Sequence, residues 1–308
     1  MRVTPRRNLR VFGMLAATLL LLAGTSGALA QPVPGRESPE AVCKQCHADQ
    51  VESYAATKHG TKADGRTPAN NGGCLVCHGA NALEHAKQGG GRGVGGIVDP
   101  ASKTMASSEK NGICLSCHEG GQRMHWSQSL HASRDTACTS CHKLHEKDKV
   151  RDKATQAQVC FTCHKEQRAQ INRPYRHAIE EGKVVCSDCH NAHGSVGPKN
   201  MKRDSIVETC YQCHLDKRGP FVRSHQPATE DCSICHNPHG TTYPNLLKVR
   251  VPFLCQSCHE MASHRRSPGL LDQSGRSANF EARGCLNCHT QIHGSNYPNE
   301  STGRGYRR

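Results

Sequence analysis

Apolar and aromatic side chains are scarce in this chain of 308 residues. Aromatic residues make up 4% of it, and only one is a tryptophan. All apolar residues together make up 35%, whereas globular proteins average roughly 45–50% in a slightly different count that also includes glycine. A chain with so few apolar side chains does not fill a conventional core with its own atoms. It is therefore either disordered or folded around a bound group that supplies the interior.

A long apolar run is missing everywhere except near the N-terminus. Four arginines in the first ten residues precede an apolar stretch at residues 11–23, which is followed by Ala28-Leu29-Ala30. This order is typical of a cleaved secretory signal peptide. The stretch has about 13 residues, fewer than the roughly 20 of a membrane-spanning helix, which argues against a permanent anchor. We expect residues 1–30 to be removed as a signal peptide, leaving residues 31–308.

No cysteine is left over from a single repeated motif, because all 20 cysteines fall in ten copies of Cys-x-x-Cys-His. The ten copies are Cys43/Cys46/His47, Cys74/Cys77/His78, Cys114/Cys117/His118, Cys138/Cys141/His142, Cys160/Cys163/His164, Cys186/Cys189/His190, Cys210/Cys213/His214, Cys232/Cys235/His236, Cys255/Cys258/His259 and Cys285/Cys288/His289. This motif is the attachment signal of c-type haem. Positions i, i+3 and i+4 share one face of a helical turn, so two thiols meet the vinyl groups of one porphyrin and the imidazole meets its iron.

Two other interpretations of the cysteines are weaker. Disulfides are common in exported proteins, and cysteine pairs also bind zinc. Neither accounts for a histidine directly after the second cysteine in all ten copies. We therefore predict ten covalent haem c groups, each bonded to two cysteines and to the motif histidine as proximal iron ligand.

Acidic residues are in the minority. The chain has 26 Asp and Glu against 40 Lys and Arg, a net charge of +14, and without the four arginines of residues 1–30 the charge is +10. A basic excess is typical of proteins that bind nucleic acids or anionic membranes. No known nucleic-acid motif is present, however, and we expect no nucleic-acid partner. Since every haem carries two propionates, ten haems would more than offset the excess.

Histidine, in contrast, is abundant: the chain contains 21, and the motifs use ten of them. Within each successive pair of motifs, one further histidine precedes the second motif and another follows it, which is an internal repeat. These ten are His59, His131, His177, His225 and His264, which precede, and His85, His145, His193, His239 and His293, which follow. As distal ligands they would make every iron bis-histidine.

His125 falls outside this repeat and is predicted to be the non-ligand. It lies only six residues before His131 and is an alternative to it. Which distal histidine serves which haem also stays open. An iron with both axial positions filled has no open position for a substrate, whereas catalytic metals keep one. We therefore predict an electron-transfer protein without catalytic residues, rather than a haem enzyme such as a nitrite or hydroxylamine oxidoreductase.

The predicted fold is a multihaem cytochrome c: mostly loops with short α-helices wrapped around ten haems, and almost no β-sheet. Ser38 and Pro39 suit the N-cap and first position of a helix that we expect to run to about Thr57. A second helix is expected at about residues 154–172, around Cys160. Elsewhere glycine, proline, asparagine and serine interrupt every regular pattern.

We expect residues 31–308 to form a single elongated decahaem domain. Two pentahaem halves, at about 31–170 and 171–308, are the alternative. A boundary between them would cut through one of the two-motif repeats, which favours the single domain.

The ten motifs, the leader and three Cys-His-x-x-His sequences, at His142, His190 and His236, resemble the MtrA/DmsE family of decahaem cytochromes. The segments CLVCHGANALEH (74–85) and WSQSLHASRDTACTSCHKLH (126–145) are similar to that family, and the resemblance covers the whole mature chain. It implies bis-histidine haems in a cytochrome that threads a β-barrel porin of the outer membrane. The cysteines and histidines given above would be its attachment and ligand residues.

The resemblance also implies a location and partners. We expect a periplasmic protein associated with the outer membrane. It would pass electrons between periplasmic or inner-membrane cytochromes and an extracellular cytochrome, reductase or mineral, in extracellular respiration or iron oxidation. No part of the mature chain is apolar enough to face lipid, so a barrel would have to shield it inside a membrane. A soluble periplasmic carrier without a porin is the alternative, and the direction of electron flow stays open.

Overall fold

The computed structural model describes residues 38–259 and 284–296. Within these ranges the chain forms thirteen α-helices of four to nine residues, joined by loops and single 3-10 turns. The helices are α1 Pro39–Lys44, α2 Ala48–Ala55, α3 Leu75–His78, α4 Ala82–Lys87, α5 Ser107–Leu115, α6 Leu130–Ser133, α7 Cys138–Cys141, α8 Lys153–Cys160, α9 Lys165–Ile171, α10 Cys186–Cys189, α11 Ile206–Cys210, α12 Gln226–Glu230 and α13 Phe253–Gln256. None of the helices in these ranges is long and apolar enough to cross a membrane.

The helices are short because the haem-attachment motif itself ends a helix. In all ten motifs the histidine N–H donates to the carbonyl of the first cysteine over 2.9–3.0 Å, which closes one α-helical turn. In nine motifs the histidine then lies outside the helix, as His47 does with φ −120° and ψ 48° and His142 with φ −94° and ψ 139°. The exception is His78, which is the last residue of α3. A helix that enters a motif therefore stops there, and a new one begins after it.

This rule corrects both predicted helices. The first begins at Pro39 as expected but breaks after Lys44, and a separate helix, α2, follows from Ala48. The second is likewise divided, into α8 ending at Cys160 and α9 beginning at Lys165. In each case the helix-favouring pattern is real, but the motif histidine must turn its ring toward the haem face and so interrupts the helix.

β-Structure is minimal in the described residues. The strands β1 (Arg223–Ser224) and β2 (Gly294–Ser295) form one antiparallel pair, and three isolated bridges accompany them. The predicted fold class, loops and short helices with almost no sheet, is confirmed.

Side-chain burial is also limited in these ranges. One small cluster, Ala157, Phe161 and Ile171, packs with Ile179 against Cys186 of the sixth motif. Large apolar side chains are instead exposed beside the motifs, among them Leu215 at 63% and Phe253 at 60%. Exposed apolar surface of this kind marks a place where another group packs.

Candidate haem-binding sites

The proximal histidines face other histidines in pairs. Nine pairs of imidazole rings have centroids 5.8–6.4 Å apart. The pairs, proximal residue first, are His47–His85, His78–His145, His118–His59, His142–His193, His164–His131, His190–His239, His214–His177, His236–His293 and His259–His225. Every histidine of these pairs was singled out from the sequence.

This spacing fits a metal ion between the rings. An imidazole nitrogen binds a first-row metal at about 2.0–2.1 Å and lies about 1.1 Å from its ring centre, so two rings across one ion have centroids roughly 6 Å apart. The His59 and His118 pair is slightly closed, with its Nε2 atoms 3.4 Å apart, and would have to open by about 0.6–0.8 Å to hold an ion between them. In residues 38–259 and 284–296, no three His, Cys, Asp or Glu side chains converge to hold a bare ion.

The attachment cysteines continue the pattern. None of the twenty thiols, all within the described ranges, is in a disulfide. Within each two-motif repeat the first cysteines of the two motifs are neighbours, as Cys114 is of Cys138. Between repeats the second cysteines are electrostatic neighbours, as Cys141 is of Cys163. Each site therefore adjoins the next without a break from the first motif to the tenth.

The second cysteines differ in burial between odd-numbered and even-numbered motifs. In the even-numbered motifs they are half-buried: Cys77, Cys141, Cys189, Cys235 and Cys288. In the odd-numbered motifs they are exposed: Cys46, Cys117, Cys163, Cys213 and Cys258. The exposure of these five cysteines does not contradict their prediction as haem-attachment residues. A thioether joins the sulfur to a vinyl carbon of the porphyrin, so protein side chains need not cover it, and haem attachment there stays a prediction.

Two of the second cysteines belong to the terminal motifs and so lie at no junction between repeats. These are Cys46 in the first motif and Cys288 in the tenth. Their assignment rests on the motif turn, which both motifs form: the motif histidine N–H donates over 2.9 Å to the carbonyl of Cys43 in one and of Cys285 in the other. The turn places each pair of thiols as in the eight internal motifs.

The two-motif repeats exchange their distal histidines. In the repeat of the third and fourth motifs, for example, His131 faces His164 of the following repeat, and His145 faces His78 of the preceding one. The same arrangement holds along the chain, so each internal repeat has rings that face rings of both of its neighbours. The first repeat has no predecessor, and there His85 turns back to His47 of its own repeat.

Backbone carbonyls orient many of the rings through the second imidazole nitrogen. Nδ1 of His131 lies 2.8 Å from the carbonyl of Ala192, and Nδ1 of His177 lies 2.8 Å from that of Pro238. Each acceptor is the residue directly before a distal histidine of the next repeat. A hydrogen bond of this kind fixes the tautomer, leaving Nε2 free to bind iron.

Two of the proximal histidines use a turn for the same purpose. Nδ1 of His190 lies 3.1 Å from the carbonyl of Lys199, and Nδ1 of His236 lies 2.8 Å from that of Asn245. Both acceptors have φ between +54° and +58°, in 3-10 turns that begin at Pro198 and Pro244. These turns were not predicted from the sequence to be parts of the sites.

His142 is different, because its Nδ1 lies 2.8 Å from a carboxylate oxygen of Asp148. The spacing of motifs gives no indication of this contact, since Asp148 stands in a charged loop that reads as ordinary surface. On the other side of the same pair, the indole of Trp126 lies 6.3 Å from the His193 ring. The fourth site therefore has two neighbours that the sequence analysis did not identify.

Burial lowers the pKa of seven of the facing imidazoles. Burial is the largest cause of a lowered pKa for His59, His118, His190, His193, His225, His239 and His293. A lowered pKa favours the neutral ring, which is the form that binds a metal ion. Tyr54, whose hydroxyl donates to the His59 carbonyl over 3.0 Å, has its pKa raised to about 12, mainly by burial.

Two sequence-predicted ligands are not among these nine pairs. His264 lies outside the described residues, as do the predicted signal peptide and residues 297–308. His289 lies inside them, on a motif turn like the other nine. His125, the predicted non-ligand, is half-buried, and its carbonyl oxygen lies 2.5 Å from where a Cβ on Gly194 would stand.

Short motif-bearing helices with facing imidazoles define a c-type cytochrome with several haems. Two family models match the chain, one described as "Doubled CXXCH motif" at residues 177–219 and 225–264 and one as "Cytochrome c-type protein NrfB-like" at residues 74–153. "Multiheme cytochrome MtrA" of Shewanella baltica is 40% identical over 274 residues, which cover 86% of this chain and 81% of the relative. "Cytochrome c-type protein NrfB" of Escherichia coli O6:H1 is 30% identical over 181 residues, 54% of this chain and 91% of the relative.

The chain belongs to the family of multihaem c-type cytochromes that includes MtrA. This confirms the family predicted from the motifs, together with bound haem c. It also confirms an electron-transfer protein rather than an enzyme, since the relatives are cytochromes.

Proposed function

We propose that this cytochrome carries ten bis-histidine haems and conducts electrons across the outer membrane inside a β-barrel porin. The observation that carries the proposal is the row of nine facing imidazole pairs. His264 is the one repeat histidine left for His289, which makes ten pairs. In this assignment His125 binds no iron.

The residues of the chain perform three tasks in this function. The cysteine pairs would hold each porphyrin covalently, and the two imidazoles would bind its iron from opposite sides, leaving no position for a substrate. The carbonyl acceptors on Nδ1 fix the ligand orientation. A haem supplies an iron that changes oxidation state by one electron, and its potential depends on its axial ligands, on burial and on nearby charge.

Contact between consecutive motifs supports conduction along the chain. Because first cysteines meet within repeats and second cysteines lie close between repeats, no attachment site is separated from the next by a layer of protein. Electrons transfer between neighbouring sites without leaving the molecule. A donor at one end and an acceptor at the other are then sufficient.

Lysines near the sites support the assignment of the basic excess to haem propionates. Lys103, Lys110 and Lys143 line one polar recess together with Thr139 of the fourth motif. A lysine ammonium is a suitable partner for a carboxylate. We assign this recess to a propionate.

The location and partners rest on the similarity to MtrA. In this proposal the chain is exported, lies in the periplasm at the outer membrane, and takes a β-barrel porin as its partner. Periplasmic or inner-membrane cytochromes lie at one end, and an extracellular cytochrome, reductase or mineral at the other. A periplasmic carrier that works without a barrel is the competing outcome.

A liposome assay distinguishes a conduit that crosses the membrane inside a barrel from a periplasmic carrier that works without one. The chain, purified from its host's outer membrane with any bound barrel, is placed in liposomes loaded with ferric citrate, and dithionite is added outside. We expect ferrous iron to form inside, and no ferrous iron when the chain is added without the barrel. Recovery of the chain only from the soluble periplasmic fraction, with no barrel bound, would contradict the conduit. Intact mass of the same sample tests the count of ten haems separately.

A further inference from the structure

His142, the proximal histidine of the fourth motif, contacts a carboxylate through its Nδ1. The fourth motif is the second motif of its repeat. In the three other repeats where the acceptor of the second motif's histidine is described, that acceptor is a backbone carbonyl. Nδ1 of His142 lies 2.8 Å from Oδ2 of Asp148. The corresponding nitrogens of His78, His190 and His236 lie 2.8–3.1 Å from neutral backbone carbonyls. These three sites have a neutral acceptor where the fourth site has a carboxylate, so they serve as internal comparisons for the effect of the charge.

The surroundings of Asp148 strengthen its pull on the imidazole proton. Its side chain is only 20% exposed, and its second oxygen, Oδ1, is buried without a hydrogen-bond partner. A carboxylate with little hydration is a stronger proton acceptor, because less water competes for its charge. The hydrogen bond from His142 is therefore charge-assisted, the stronger class of such bonds.

A carboxylate on the outer nitrogen makes an axial imidazole a stronger electron donor to its metal. Greater donation stabilises the ferric state over the ferrous state, so the potential at that iron falls. We infer that Asp148 is a positioning residue that lowers the reduction potential of the haem attached at Cys138 and Cys141. The inference rests on the proposed axial role of His142.

The loop sequences explain why this site differs. After the sixth and eighth motifs, the chain makes the turns at Pro198–Asn200 and Pro244–Leu246, which present the Lys199 and Asn245 carbonyls. After the fourth motif the segment to the next helix is shorter, and its 3-10 turn at Lys149–Arg151 contains no residue with positive φ. Asp148 occupies the place of the missing carbonyl and brings a charge with it.

Two substitutions in the haem-loaded chain test the inference. Asp148→Asn keeps the size and an acceptor oxygen but removes the charge. Glu146→Gln removes an equal charge from an exposed side chain two positions away, and serves as the control. In a potentiometric titration followed by visible absorption, we expect one-tenth of the amplitude to move to higher potential in Asp148→Asn and none in Glu146→Gln. Asp148→Glu, which keeps the charge, should restore the original curve.

Superposition of the Asp148→Asn curve on the unsubstituted one overturns the inference, and so does an equal shift in Glu146→Gln. A second measurement needs no variant: in the near-infrared magnetic circular dichroism of the oxidised protein, one-tenth of the charge-transfer intensity should be displaced toward that of anionic imidazole ligation. A band without that component also contradicts the inference. Fewer than ten haems by mass, or a high-spin fourth site, would instead contradict the proposed ligation.

Discussion

His131 and His125 show what single residues decide in this molecule. The sequence leaves both as candidates for one distal position, since they are close together. In the structure the His131 ring stands 6.1 Å from that of His164, and its Nδ1 meets the Ala192 carbonyl. Both partners lie in the following two-motif repeat, so spacing within a repeat could not distinguish the candidates.

Substitution of each histidine by alanine tests that assignment. We expect His131→Ala to leave one iron in ten with an open axial position, which converts one-tenth of the ferric haem to the high-spin state. His125→Ala, the matched control, should leave every haem low-spin. Electron paramagnetic resonance of the oxidised variants measures both. A high-spin signal in His125→Ala with none in His131→Ala would reverse the assignment.

Gly194 is a residue at which a single methyl group should disturb a site. It follows the distal His193 with φ +100°, and an added Cβ would lie 2.5 Å from the His125 carbonyl oxygen. We expect Gly194→Ala to destabilise the folded protein by roughly 1–3 kcal/mol, because the backbone is strained for any residue with a side chain and His125 must move.

The control for Gly194 is Gly112, which lies inside α5 with open space at its Cβ position. Gly112→Ala should stabilise the protein by about 0.5–1 kcal/mol, as alanine does in helix interiors. The midpoint of guanidinium unfolding, followed by the haem absorption, measures both changes. Equal midpoints for the two variants would refute the argument from close approach.

At the scale of elements, the motif itself was the reliable signal. Cys-x-x-Cys-His predicts one helical turn, and all ten motifs form it. Helix lengths were not predictable from local propensity, because the pattern around Cys43 or Cys160 favours continuation while the histidine must turn away. Asp148 and the turns at Lys199 and Asn245 escaped prediction because hydrogen-bond acceptors for imidazole have no sequence signature.

The ring planes of the facing histidines yield a spectroscopic prediction. The angle between planes is 89° for His59–His118 and 86° for His131–His164, but only 12° for His142–His193. Two parallel imidazole rings interact with the same one of the two iron orbitals dxz and dyz, and so separate their energies. Two perpendicular rings each interact with a different one and leave the two energies nearly equal. Greater anisotropy in the ferric low-spin signal follows from near-degeneracy.

We therefore expect the oxidised protein to show two haems of the highly anisotropic type, those of the third and fifth motifs, beside a larger set with ordinary rhombic spectra. Integrated electron paramagnetic resonance measures the proportion. His59→Ala should remove one of the two anisotropic components, while His193→Ala should leave both. A spectrum with rhombic components alone would contradict the geometry of these two pairs.

At the scale of the whole molecule, the exchange of distal histidines turns five two-motif repeats into a linked array. Each internal repeat places one histidine ring opposite a motif histidine of the repeat before it and another opposite a motif histidine of the repeat after it. The sequence revealed the repeat and its ten spare histidines. It did not reveal the exchange, because ligands separated by a whole repeat meet only through the porphyrin between them.

This organisation predicts that the chain does not fold without haem. The described residues bury few apolar side chains, and their main cluster holds only Ala157, Phe161 and Ile171, while Leu215 and Phe253 stay exposed. Such a core cannot offset the conformational entropy of ordering so many residues. Helices of four to nine residues are also too short to persist alone.

Residues 31–308 produced in the cytoplasm, without haem attachment and with the thiols kept reduced, should therefore be unfolded. We expect a coil-like far-ultraviolet circular dichroism spectrum, rapid proteolysis and no cooperative thermal transition, whereas the haem-loaded protein should resist protease and unfold cooperatively. The attached porphyrins supply the missing apolar surface, and each iron joins two distant histidines as a disulfide joins two cysteines, which restricts the unfolded chain. A cooperative transition in the haem-free chain would show that its own side chains are sufficient to specify the fold.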